Sequence, residues 1–147
     1  MKGKLAIVAL IGLFFPLVSL AYSPKEIVQA TNVYRVEHSL APLSTNPQLQ
    51  IVAQFIAQDM ANKAYWSHNN LTGQTPWFWL NVAGYKYKYA GQNLARKFTT
   101  TEENMQSWIK SPTHNANLLF KGFQETGVGM ATSSDGKVYV VQYFGSR

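Results

Sequence analysis

Residues 46–61, NPQLQIVAQFIAQDMA, repeat apolar side chains at a spacing that one regular element satisfies. Leu49, Val52, Ala53, Ile56, Ala57, Met60 and Ala61 recur at three- and four-residue intervals, which places them in a single stripe along a helix. Asn46 offers a side-chain acceptor to the first free N–H groups, and Pro47 suits the first helical position. A stripe this continuous has to be buried, so the rest of the chain is expected to fold around this helix. Ile51 and Phe55 lie off the stripe and predict a helix covered on a second side as well.

The chain begins with MKGKLAIVALIGLFFPLVSLA, whose Lys2 and Lys4, apolar run and small residues Ser19 and Ala21 read as a signal peptide cleaved after Ala21. Pro16 interrupts the apolar run, which falls short of the roughly 20 residues that span a bilayer. The expected mature chain is therefore residues 22–147, one domain with no stable membrane span, secreted or periplasmic, and a monomer. Of the 13 Lys and Arg, two lie in the leader; against seven acids the mature chain carries about +4. These charges form no basic cluster, which argues against nucleic acid as a partner. The chain has no cysteine, so an exported fold of this size depends on its apolar core.

Ser23-Pro24 opens a helix to about His38, and Thr75-Pro76 opens a short one that carries Trp77, Phe78, Trp79 and Leu80 and ends at Gly84. YKYKYAGQNLA alternates aromatic and lysine residues with the period of a half-covered strand. A helix from Thr101 to Lys110 turns Met105, Trp108 and Ile109 inward. Ser111-Pro112 starts another, with the Ser111 side chain expected to accept the backbone N–H of residue 114. Strands at 128–132 and 138–144, joined through Asp135-Gly136, end the chain. The class is α+β.

Three histidines follow the leader. His38 falls at a helix end, where a capping role suits it. His68 lies in the polar loop YWSHNN, and His114 in the first turn of a helix, where the dipole disfavours its protonated form. A neutral imidazole binds a metal or accepts a hydrogen bond, but packing alone would also explain His114. No nucleophile elbow, HExxH helix or phosphate-binding loop is present.

Asn32-Val33-Tyr34-Arg35 with His38–Leu43, Ser67-His68, Gly91-Gln92-Asn93-Leu94-Ala95, Trp108, Ser111-Pro112-Thr113-His114-Asn115-Ala116-Asn117-Leu118-Leu119 and Gly127-Val128-Gly129 together resemble the CAP superfamily, the cysteine-rich secretory, antigen five and pathogenesis-related group. The resemblance covers residues 22–147 and implies a three-layer α-β-α sandwich with a central, mainly antiparallel sheet, in the cysteine-free bacterial-type branch. It also implies a cleft that many members line with two histidines and two glutamates, some binding zinc or another divalent ion. His68 and His114 match the histidines, while Gln92 and Ser111 stand where the acids are expected. The cavity residues implied are thus His68, Gln92, Asn93, Ser111 and His114.

Two imidazoles with an amide and a hydroxyl bring no negative charge to a divalent cation, so any metal held by His68 and His114 is expected to be weak, and no cofactor is required. Gln92 cannot act as a general base. The expected function is therefore a non-enzymatic binding module, and because some members of the family it resembles bind sterols or other lipids, its expected ligand is a small molecule, lipid or sterol, or an envelope component. The run from Trp77 to Leu80 suits either a lipid pocket or the core. A divalent-metal-dependent hydrolase and an envelope interaction protein with a vestigial groove are the alternatives.

Overall fold

A computed structural model of the chain describes residues 22–147, and the expected signal peptide lies outside them. The elements are α1 (Pro24–Glu37), β1 (Ser44–Thr45), α2 (Pro47–Lys63), α3 (Pro76–Val82), β2 (Tyr89–Arg96), α4 (Thr101–Lys110), α5 (Pro112–Leu119), β3 (Glu125–Thr132) and β4 (Val138–Ser146). Ser23, Asn46 and Thr75 each accept backbone N–H from the helix that follows, and a proline stands at the start of each of these three helices. His38 is the last cap of α1, with Nδ1 2.8 Å from the Tyr34 carbonyl.

Four strands lie in the order β1-β3-β4-β2. β4 is antiparallel to both neighbours, while β1 contributes a two-residue parallel pairing, Ser44 to Glu125 and Thr45 to Thr126. Alternation along β4 sends Tyr139, Val141 and Tyr143 into one apolar cluster with the α2 stripe and Leu80. Val140 and Phe144 enter a second cluster with Ile27, Met105, Trp108 and Leu118 from α1, α4 and α5.

The α2 stripe is buried residue for residue as its periodicity predicts. Its closeness to the sheet depends on two glycines. A Cβ at Gly127 would lie 2.2 Å from the Gln50 nitrogen, and one at Gly129 would lie 2.2 Å from the Ala53 carbonyl carbon. Two glutamines exploit that approach. Gln50 bonds both the N–H and the carbonyl of Val128, and Gln54 bonds both backbone groups of Met130 at 3.1 and 2.9 Å. Beyond the short β1 pairing, the outer edge of β3 is thus satisfied by side-chain amides that occupy the place of a neighbouring strand.

Three expectations require correction. Ile51 and Phe55 are 67% and 48% exposed, so α2 is covered on one side only. Phe55 finds partial cover against Trp79, with ring centroids 4.9 Å apart. The aromatic and lysine alternation becomes strand only at Tyr89, because β4 ends opposite it and Lys88 makes the last ladder bond to Ser146. The Ser111 side chain makes no capping bond. This residue ends α4 and begins α5 at once: its N–H bonds Trp108, its carbonyl accepts from Asn115, and its hydroxyl lies 3.4 Å from that of Thr113.

Candidate functional site

The loop after α2 starts at Ala64, which adopts left-handed backbone (φ 55°) and turns the chain back over the edge of β2. This places His68 against Gln92, with Nδ1 2.7 Å from Oε1. An amide oxygen only accepts, so His68 carries its proton on Nδ1 and directs the lone pair of Nε2 outward when neutral. Gln92 is 5% exposed, and its Nε2 is buried without a hydrogen-bond partner. One end of this amide fixes the imidazole while the other is turned to the buried Tyr143 phenol.

β2 and α5 are joined by a second set of amides. Asn93 is fully buried and donates to the His114 carbonyl at 3.1 Å, while its oxygen accepts from Asn117 Nδ2 at 2.8 Å. Asn117 Nδ2 also reaches the Gln92 carbonyl at 3.3 Å. Asn93 is therefore a bracket whose amide is committed to the protein. His114 is half-buried, and its imidazole is held below the ordinary value by burial first and by the charge of His68 second.

A cleft of about 360 Å³ lies beside this network, lined by His68, Asn69, Thr75, Pro76, Trp77, Ala90, Gly91, Gln92 and Asn117. Of the residues expected to line a cavity, His68 and Gln92 do so. Ser111, at the junction of α4 and α5, and the buried Asn93 are not in its lining, and neither is His114, although the charge of His68 reaches it. Asn69, Thr75 and Asn117 also line it and are not among the cavity residues expected from the sequence. Asn117 lies one helical turn after His114, and that spacing is the signal that could have found it. Gly91 forms part of the wall, where a Cβ would lie 2.8 Å from Phe123 and 2.9 Å from Asn117 Oδ1.

A larger groove of about 860 Å³ runs along α1 past Val28, Val33 and Val36. No imidazole lines it, so the chemistry-bearing side chains select the smaller cleft. Glu102 and Glu103 are exposed in the first turn of α4, where Glu103 bonds the backbone and hydroxyl of Thr99. Among the described residues, no group of three or more His, Cys, Asp or Glu is placed to hold a metal ion. With His68 Nδ1 engaged by a neutral amide and no carboxylate at hand, the donor set suits a divalent cation poorly.

Residues 28–144 match the family model described as CAP, the cysteine-rich secretory protein family. This chain belongs to that family. The CAP chain is 34% identical over 121 residues to YkwD of Bacillus subtilis, covering 82% of itself and 46% of that protein. It is 29% identical over 126 residues to the Golgi-associated plant pathogenesis-related protein 1 of Homo sapiens, covering 81% and 80%. An extracellular protein of Bacillus anthracis containing an SCP domain superposes with a TM-score of 0.75 at 29% identity, over 84% of this chain and 40% of that one. An outer surface protein of Borrelia burgdorferi gives 0.78 at 21% identity, over 84% and 91%, a likeness of fold. The CAP chain thus spans less than half the length of these two Bacillus proteins. It has no cysteine despite the family's description.

Proposed function

We propose that this CAP chain is an exported, monomeric binding module that takes its ligand at the groove beside His68 and catalyses no reaction. An α-β-α layering around that groove is supported by the alternation of β4 between two apolar clusters. Export is supported by the descriptions of two neighbours as extracellular and outer surface proteins. Among the described residues no helix is long and apolar enough to cross a membrane.

The observation that carries the reading is the 2.7 Å bond between His68 and Gln92. A catalytic imidazole is commonly oriented by a carboxylate, which also stabilises the imidazolium that forms when it takes a proton. A neutral amide orients the ring without stabilising that charge. His68 is thereby a fixed hydrogen-bonding group, suited to recognition. Metal-assisted hydrolysis would need donors and a base that this groove lacks.

The test is an imidazole NMR titration of residues 22–147 with three probes: a lysophospholipid, a soluble sterol ester and a solubilised peptidoglycan fragment. Binding of one of these, with movement of the His68 signals and loss in His68→Ala, is the expected result. Silence to all three would make the groove vestigial. Turnover of an ester or peptide substrate that His68→Ala abolishes would replace the reading with the hydrolytic one.

A further inference from the structure

We infer that the cleft beside His68 is a carbohydrate subsite whose ligand is a neutral glycan bearing N-acetyl groups, an inference that rests on the binding reading above and gives it a ligand class. The side chains facing the cleft carry the argument. Among the described residues, no Asp, Glu, Lys or Arg lines it, so a phosphate, a carboxylate or an ammonium group finds no ion pair there. An acyl chain fits no better, because it would strip water from His68, Asn69 and Asn117 without returning hydrogen bonds.

What the cleft offers is a set of neutral donors and acceptors beside one aromatic plane. His68 Nε2 is an acceptor, since Nδ1 donates to Gln92. Asn117 spends its Nδ2 on Gln92 and Asn93, which leaves Oδ1 to accept beside the bare Cα of Gly91. The Thr75 oxygen accepts from Phe78, and its hydroxyl proton is free to donate. Gln92 takes part through His68 alone, because its Nε2 is buried on the side of the Tyr143 phenol.

Trp77 supplies the plane. It is 37% exposed at the start of α3, held from one side by Tyr87 at a centroid separation of 6.4 Å. The face of an indole carries partial negative charge and attracts the weakly positive C–H groups on one face of a pyranose ring. A sugar has such an apolar face and a rim of hydroxyls that both donate and accept, and an acetamido group complements side-chain amides on both counts. The volume of about 360 Å³ is at the small end of ligand sites, which run from roughly 300 to 1,000 Å³, and suits a short oligosaccharide segment.

The probe is tri-N-acetylchitotriose, titrated into residues 22–147 by calorimetry and followed through the His68 imidazole signals. Saturable binding that is insensitive to salt, weakened about tenfold in Trp77→Ala and retained in Trp77→Tyr, is the expected result. Asn69→Ala, at an exposed loop position, is the second variant and is expected to weaken binding without lowering the melting temperature. If chitotriose leaves the His68 signals unmoved while the lysophospholipid or sterol ester shifts them, the glycan inference fails and the binding reading stands. If no probe shifts them, both fail. Binding unaffected by any of these variants, or adenosine binding in place of chitotriose, would also overturn the inference.

Discussion

Arg35 is 1% exposed near the end of α1, and carbonyl oxygens are its hydrogen-bond partners. Its Nε donates to Ala41 at 3.0 Å, Nη1 to Leu118 at 2.8 Å and Phe120 at 3.1 Å, and Nη2 to Phe123 at 3.5 Å. One guanidinium therefore ties together the segment before β1, the end of α5 and the approach to β3. Leu118 lies in the last turn of α5, where free carbonyls and the helix dipole favour a cation.

Arg35→Met keeps the aliphatic stem and removes every donor. The Phe120 oxygen also accepts from the Phe123 N–H, and the Phe123 bond is long, so Ala41 and Leu118 are the two carbonyls left without a partner. The Leu118 carbonyl is buried and, once orphaned, costs about 1–3 kcal/mol, whereas Ala41 is exposed and water can replace the guanidinium at its carbonyl. With the guanidinium's own desolvation relieved, a net loss of about 2 kcal/mol is expected, against the roughly 5–15 kcal/mol available to a domain. With a urea slope of about 2 kcal/mol/M, the midpoint should fall by about 1 M with the slope unchanged. Arg35→Lys, whose ammonium is a point donor, should lie between the two. A midpoint for Arg35→Met within about 0.3 M of wild type would refute the reasoning.

The remaining predictions concern the site and the face of α2. Because the His114 value is lowered in the fold, the unfolded chain takes up that proton first. Stability should be full above about pH 6.5 and decline as pH falls through and below that value, and His114→Gln should flatten the decline in urea titrations between about pH 7 and pH 5. Gly129→Ala sets a Cβ 2.2 Å from the Ala53 carbonyl carbon and the Gln54 nitrogen, backbone that cannot yield, so a loss of about 3 kcal/mol and a melting temperature lower by about 10 °C are expected in calorimetry. Gln92→Glu puts a carboxylate on His68 Nδ1, and zinc titration should show affinity raised by at least about tenfold; unchanged uptake would mean that the two imidazoles do not converge.

The helices were legible because their signals are local. Asn46-Pro47 and the apolar period fix α2 with no reference to the rest of the chain, and every residue of its stripe is buried. Ile51 and Phe55 are poor guides because apolar character does not imply burial: a folded surface keeps many apolar atoms. β1 has two residues and exists through pairing with Glu125 and Thr126, so no local pattern announces it. Tyr85 and Tyr87 have the period of a strand but no strand opposite them. At the site, the family resemblance points to His68, Gln92, Asn93, Ser111 and His114, of which His68 and Gln92 line the cleft, while the bracing by Asn93 and Asn117 requires β2 and α5 side by side.

The paired glutamines on α2 bear on how a chain without disulfides avoids self-association. An open β edge invites a second copy to add itself, and the risk is greatest while many unfolded or half-folded chains emerge together. By presenting amide groups to Val128 and Met130, Gln50 and Gln54 leave a newcomer nothing to pair with there. That protection arrives only once α2 has settled on the sheet. The order of these two events during folding, more than the depth of the finished core, would then decide whether the molecule stays solitary or polymerises.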